Sequence, residues 1–305
     1  MSTVKMMSGK ARNADRSIGA ILVDSGRLLP SDAERILQYQ KEHGLPFGEA
    51  GVQLGLLTEA DILYALSLQF DYPFLSGPNR PVSDEIIVAY RPFSVEGERL
   101  RSLRSQLQLR WFDEHGKRSA LALVGTRRGE GRSHLAANLA VTFAQAGERT
   151  LLIDGDLRNP RQHRLFKLEN QVGLSSLLAG RLQDQVVSFV PGIPGLAVLP
   201  AGPPPPNPEE LLGRPAFDRV LQQSMSAFDV VLIDTPSMDT GADAMLLSRF
   251  AGAALAIART GLTRTNAFGY LLNLMQDSGV KVVGSALVDV PPLRARRRSL
   301  FRRSA

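Results

Sequence analysis

The stretch 119-SALALVGTRRGEGRSHLAANLAVTFAQA-146 limits the possible folds of this chain more than any other. A short apolar run feeds a loop holding Gly129 and Gly131, and the loop opens directly into a helix-forming run. Glycines at those two positions let the backbone turn so that successive N–H groups point at one anion. The start of the helix adds its partial positive charge to the same spot. A plain strand-to-helix turn needs fewer glycines, so the expected role is a phosphate cradle. Its expected nucleotide contacts are Thr126, Gly129, Glu130, Gly131, Arg132, Ser133 and His134, with the Ser133 hydroxyl placed to ligate Mg²⁺.

Two further apolar runs end in acids. The run 151-LLI-153 meets Asp154, Gly155 and Asp156, and 230-VVLI-233 meets Asp234, Thr235 and Pro236. Buried-strand runs are expected at 119–124, 150–153, 196–199, 229–233, 253–258 and 280–288, separated by helices that include 132–146, 208–225 and 264–277. This alternation predicts an α/β fold, a mostly parallel sheet with helices on both faces. In such a sheet the C-terminal strand ends line the ligand crevice. Ser133, Asp154, Asp156 and Asp234 would then converge on one edge, as hard-cation coordination beside phosphate oxygens requires. Any one of these acids alone would more often be a helix cap.

Ahead of this domain lies an internal repeat. Residues 17-SIGAILVDSGRLLPSDAERILQYQ-40 align without gaps on 46-PFGEAGVQLGLLTEADILYALSLQ-69, matching Gly19 with Gly48, Gly26 with Gly55, and Leu28 with Leu57. Each unit reads as a short helix, a glycine stop, and a second helix capped by Ser31 or Thr58. The expected organisation is an arm over 1–16, a helical module over 17–72, a proline-rich linker over 73–94, a nucleotide-binding domain over 95–292, and a basic tail over 293–305. The arm lacks the apolar centre of a secretory signal and reads as cytoplasmic. No apolar run approaches the roughly 20 residues that span a bilayer, and the sequence has no cysteine for a disulfide scaffold or thiolate metal site. The net charge of +6 is concentrated in 294-RARRRSLFRRSA-305, which has six arginines and no acid. That tail suits either an anionic lipid surface or a solvated disordered end. Without an accompanying aromatic patch, a nucleic-acid platform is not expected.

The repeat resembles the MshEN-type N-terminal domain of type II secretion and type IV pilus assembly ATPases, in which paired 24-residue motifs with a five-residue spacer bind cyclic di-GMP. The family motif opens Arg-Leu-Gly, whereas this chain has Ser17-Ile18-Gly19 and Pro46-Phe47-Gly48, with Arg16 one position early. The expected role is therefore docking rather than cyclic di-GMP sensing.

The loop and its two acidic strand ends resemble the Walker A, A′ and B motifs of bacterial tyrosine kinases, the capsule and exopolysaccharide group of the MinD/ParA-related P-loop ATPases. Residues 98-ERLRSLRSQL-107, 156-DLRNPRQHRLFKLENQVGLSSLLAG-180 and 202-GPPPPNPEELL-212 resemble further signatures of that group. With the added module, the chain is most similar to EpsG-type chain-length determinant tyrosine kinases. The resemblance implies ATP and Mg²⁺ as cofactors and tyrosine as acceptor. It also implies a Wzz-like membrane-spanning chain-length determinant as partner and a location peripheral to the inner membrane through it. Asp154 would act as the base for the acceptor hydroxyl, Arg132 and the loop amides would neutralise the phosphates, and Asp156 would assist. Glu98, Arg101 and Arg104 share one helix face by spacing, which alone reads as a solvated charged face; the resemblance makes it a subunit contact in a homo-oligomeric ring.

Two departures bear on activity. Arg132 stands where the family has lysine, and an arginine is longer, planar and inclined to bidentate contact. Weakened or re-routed catalysis is expected more than lost binding, and Arg127 and Arg128 add nearby positive charge. The family's C-terminal tyrosine cluster is replaced by arginines, leaving Tyr39, Tyr64, Tyr72, Tyr90 and Tyr270, of which Tyr90 in the linker is the expected acceptor. Three readings remain open: a tyrosine autokinase, a nucleotide-gated assembly switch, and a MinD/ParA-like positioning ATPase.

Overall fold

The computed structural model describes residues 16–70, 72–75, 79–113, 119–181 and 186–289. Apart from Arg16, the expected arm lies outside these residues, as does the whole basic tail. Four helices open the chain: α1 (Ile18–Asp24), α2 (Pro30–His43), α3 (Phe47–Gln53) and α4 (Glu59–Phe70). They carry their own core of Ile21, Leu22, Leu28, Ile36, Ala50, Leu57 and Ala65. The repeat is real in three dimensions, because Gly26 and Gly55 both adopt left-handed φ (71° and 67°) and Leu28 and Leu57 are both buried behind them. Gly19 packs on the Phe47 ring and Gly48 on Ile62, with no room for a Cβ at Gly19. Thr58 caps α4 as expected, its hydroxyl accepting from the Asp61 amide while Asp61 accepts from the Thr58 amide and hydroxyl. Ser31 does not cap α2: the helix starts one residue earlier at Pro30, where the ring supplies the helical φ and no N–H needs a partner.

Much of the expected linker is packed. Helix α5 (Ile87–Tyr90) sits within it, and Val82, Ile86, Val88, Ala89 and Tyr90 are buried. The segment is rich in turn residues, but its apolar residues have a surface to cover. Helix α6 (Val95–Leu107) follows, capped by Ser94, and runs into one wide π-helical turn that buries Trp111 and Phe112.

The remaining elements are β1 (Ser119–Gly125), α7 (Arg132–Gln145), β2 (Thr150–Asp154), α8 (Gln162–Leu165), α9 (Leu174–Leu178), β3 (Ser188–Phe189), β4 (Leu196–Leu199), α10 (Pro208–Leu212), α11 (Pro215–Ala227), β5 (Val230–Asp234), α12 (Asp243–Ala251), β6 (Ala253–Arg259), α13 (Thr265–Asp277) and β7 (Lys281–Val288). The strands form one sheet in the order β3-β4-β2-β5-β1-β6-β7, parallel except for β3. The two-residue β3 has no pattern of its own and follows from its pairing with β4. The single helix expected over 208–225 is two, because Gly213-Arg214-Pro215 interrupts it and Pro215 starts the second.

Both faces of the sheet are covered, so the strands read as continuous apolar runs. Leu121, Leu123, Leu152, Leu232 and Leu255 pack towards α7 and the α5–α6 segment. Ala122, Ile153, Ile233 and Ala256 pack on the side of α11, α12 and α13. Register then sets the site: Asp154 and Asp234 are direct neighbours across β2 and β5, and Leu123 of β1 lies beside Asp234 on the other side.

Candidate nucleotide site

The loop between β1 and α7 is built as a cradle. Gly129 and Gly131 have φ of 88° and 93°, where L side chains are strained, and Gly131 is the N-cap of α7. Among the described residues, no protein acceptor takes the amide hydrogens of residues 128–133. A run of donors at the start of a 14-residue helix is an anion site by construction.

What holds the loop in this shape was not evident from the motif. Glu130 is completely buried and accepts from the Thr126 hydroxyl (2.6 Å), the Thr263 hydroxyl (2.6 Å) and the Arg127 amide (3.1 Å). Arg259 donates to the Gly129 carbonyl at 2.7 Å, so the loop after β6 grips the cradle from the side. Arg132 is 7% exposed, and its guanidinium folds back through the loop. Its Nε donates to the Thr235 carbonyl (3.2 Å), one terminal nitrogen donates to the Arg127 carbonyl (2.8 Å), and that nitrogen lies 3.5 Å from Glu130. Gly125 makes this crossing feasible, because a Cβ there would lie 2.5 Å from the Glu130 carboxylate and 2.8 Å from the Arg132 guanidinium. Arg132 therefore clasps the loop here, and its three partners are all protein groups.

His134 points away from the cradle. It is held near Asn138 and Glu85, and burial lowers its pKa below the usual imidazole value. Its backbone position in the first turn of α7 is compatible with a phosphate contact, whereas its ring faces the packed segment before α5.

The acids occupy distinct positions. Asp154 is fully buried, and its oxygens accept from the amides of Asp156 (3.3 Å), Arg161 (3.0 Å) and Gln162 (2.9 Å). Burial first, and then the neighbouring Asp234 charge, push its carboxyl well above the usual range. Asp234 is also fully buried and is pushed up to about 6, mainly by burial. Hydrogen bonds from Gln162 and Ser133 pull the other way, and its Oδ1 has no donor. Asp156 is half-buried and accepts from the amides of Arg158 and Asn159, shaping its own turn. Among the described residues, no three acidic or histidine side chains stand close enough to hold a metal ion by themselves. The expected set of Ser133, Asp154, Asp156 and Asp234 is thus not a closed protein cage. Mg²⁺ rarely needs one, since it keeps several waters and takes one or two carboxylates beside phosphate oxygens. The bare Asp234 oxygen and the adjacent Ser133 hydroxyl fit that requirement.

Two residues that join the motifs were missed from sequence. Gln162, fully buried, donates from one amide nitrogen to Asp234 Oδ2 (2.8 Å) and to the Ser133 carbonyl (3.1 Å). Asp243, also fully buried, takes a bidentate contact from Arg158 (2.7 and 3.2 Å), tying the loop after β2 to α12. Neither lies in a glycine-rich or acidic run that would draw notice.

The expected subunit contact is partly engaged within the chain. Arg101 donates to the Pro92 carbonyl and pairs with Glu98, and Arg104 donates to the Thr142 carbonyl of α7 (3.0 Å). Glu98 remains largely exposed. Tyr90, the expected acceptor, is 8% exposed, and its hydroxyl is bonded to the backbone of Val82. Its ring completes the core beneath the linker, which removes it as an accessible acceptor. Tyr270 on α13, at 68% exposure, is the accessible phenol.

Comparison with known proteins agrees with this geometry. The family described as "Cellulose biosynthesis protein BcsQ" matches residues 118–263. The tyrosine-protein kinase YwqD of Bacillus subtilis is 36% identical over 178 residues, 58% of this chain and 74% of that protein. The tyrosine-protein kinase ptk of Acinetobacter johnsonii is 35% identical over 273 residues, 90% of this chain but 35% of that larger protein. The solved kinase domain of Escherichia coli tyrosine kinase ETK superposes with a TM-score of 0.64 at 30% identity, covering 67% of this chain and 80% of that one. With the parallel sheet, the cradle and the paired strand-end acids in place, the chain belongs to the bacterial tyrosine kinase family of P-loop nucleotide-binding proteins.

Proposed function

We propose that this chain binds Mg·ATP on the 125–133 loop and works as a tyrosine autokinase-like protein. In this reading it regulates exopolysaccharide chain length and export together with a membrane-spanning partner of the chain-length determinant type. The observation that carries the nucleotide part is the run of loop amides at 128–133 that no protein acceptor takes among the described residues, together with Asp154 and Asp234 side by side at the ends of β2 and β5. Loop amides and the α7 N-terminus bind the phosphates, while Ser133 and Asp234 hold the cation, which neutralises phosphate charge when bound. Asp154 is the base for the acceptor hydroxyl; burial and the neighbouring Asp234 charge hold its carboxyl well above the usual range, which makes it a stronger proton acceptor than a solvated carboxylate. Residues 17–72 form a docking module, 95–292 the nucleotide domain, and the arginines of 293–305 attract anionic lipid. The protein then sits peripheral to the inner membrane through its partner. No helix among the described residues is long and apolar enough to cross a membrane itself.

A second reading is favoured by one specific contact. Arg132 is tied to two backbone carbonyls and to Glu130, so the charge nearest the cradle is already committed. That suits a nucleotide-gated assembly switch without kinase turnover. The purified protein, Mg·ATP and the partner's cytoplasmic segment separate the readings when phosphotyrosine and free phosphate are scored together. Phosphotyrosine that disappears in Asp154→Ala supports the kinase; nucleotide binding with neither product supports the switch; phosphate release alone supports a positioning ATPase.

A further inference from the structure

Gln162 is the one described side chain that bonds to both the cradle and the Asp234 carboxylate, and its backbone amide holds Asp154. The orientation of its side-chain amide is fixed by chemistry. Asp234 Oδ2 and the Ser133 carbonyl are both acceptors, so the NH₂ group must face them. The Oε1 atom therefore faces the other way, fully buried and without a donor. Asp234 Oδ1 is likewise buried and without a donor. Two bare acceptors on directly bonded side chains are costly in a folded protein unless something brings donors or positive charge to them. A divalent cation at the cradle brings that charge to the bare Asp234 oxygen.

We propose that Gln162 is a positioning residue of the cation site. Its NH₂ group pins one Asp234 oxygen against the loop so that the other is left for the cation. This rests on the reading that the 125–133 loop binds Mg²⁺ with nucleotide. The role differs from packing, because a nonpolar side chain of equal length would fill the same volume.

The test is calorimetric binding of ADP to the full chain, with Mg²⁺ and with EDTA, in wild type and in Gln162→Met. The variant is expected to lose roughly 10- to 100-fold of the Mg²⁺-dependent gain in affinity, the usual effect of removing a group that orients a metal ligand. Affinity in EDTA should stay close to wild type, whereas the melting temperature without nucleotide should fall, because Asp234 Oδ2 and the Ser133 carbonyl lose their buried donor. Gln162→Asn, one methylene too short to span Ser133 and Asp234, should show the same selective loss and serves if the methionine variant does not fold. An unchanged Mg²⁺ increment in either folded variant overturns the proposal alone. Equal losses with and without Mg²⁺ also overturn it, because they mark a structural role. A wild type with no Mg²⁺ increment overturns the underlying cation reading as well.

Discussion

At the residue scale, Arg132 decides most about this site. The loop motif made it the expected phosphate-neutralising group, and charge alone could not say where a longer, planar side chain would go. The structure shows it satisfied by Arg127, Thr235 and Glu130, with Gly125 leaving room. Truncating Arg132 to alanine leaves buried Glu130 without its cation, and should lower the stability measured by denaturant unfolding by about 3 kcal/mol. Arg132→Lys should behave differently. A single ammonium cannot keep both carbonyls and Glu130, so about 1 kcal/mol of stability is lost, but the shorter charge is freed towards the cradle. Its phosphate release or phosphotyrosine formation should rise roughly 10-fold, and an unchanged rate would remove Arg132 as the cause of slow turnover. Asp234 gives a pH prediction. Its folded pKa is raised from 3.8 to about 6. The stability it contributes is present below its unfolded value and is lost as pH rises through about 6. Asp234→Asn, which is never charged, should therefore melt above wild type at pH 7.5, by about 3 kcal/mol when converted to stability. The difference should shrink to nothing by about pH 4. Melts of both proteins across that range, without nucleotide, read it directly.

At the element scale, the large periodic elements were legible and their interruptions less so. All six expected strands form, because buried parallel strands read as continuous apolar runs. The antiparallel β3 was not legible, since two residues carry no period. Nor was the break between α10 and α11, where Gly213 and Pro215 lay inside an otherwise helical pattern. The repeat predicted two helix pairs correctly but made their starts equivalent, and the structure shows that they differ. Thr58 and Asp61 form a reciprocal cap on α4, whereas α2 begins at a proline without any side-chain cap. Thr58→Ala should thus lower the module's stability by about 1 kcal/mol. Ser31→Ala should change it by less than about 0.5 kcal/mol. The two variants, compared by thermal unfolding, distinguish a real cap from a residue that only matches one in the alignment.

At the scale of the whole molecule, the linker joins the repeat module to the nucleotide domain, which composition did not show. Proline and glycine marked 73–94 as a connection, but packing depends on what lies opposite, and here it is α7. Gln145, at the far end of that helix from the cradle, is nearly buried and makes two bonds to the segment and one to the end of the module. Its Nε2 donates to the carbonyls of Pro73 (2.9 Å) and Val88 (3.0 Å), and its Oε1 accepts from the Tyr72 hydroxyl (3.0 Å). Tyr72 lies just beyond α4. One rigid helix thus has the phosphate cradle at its first turn and the module's exit at its last. Gln145→Ala leaves two carbonyls and a hydroxyl in partly buried surroundings, which should cost about 2 kcal/mol. If this clamp couples the two units, wild type should unfold in a single transition, and Gln145→Ala should split it as the module and its linker release first. Protease cleavage within 73–94 should accelerate in the variant in the same proportion, because cleavage follows the population of the opened form. A single transition in both proteins with equal cleavage rates would show that the module is held by contacts other than this glutamine.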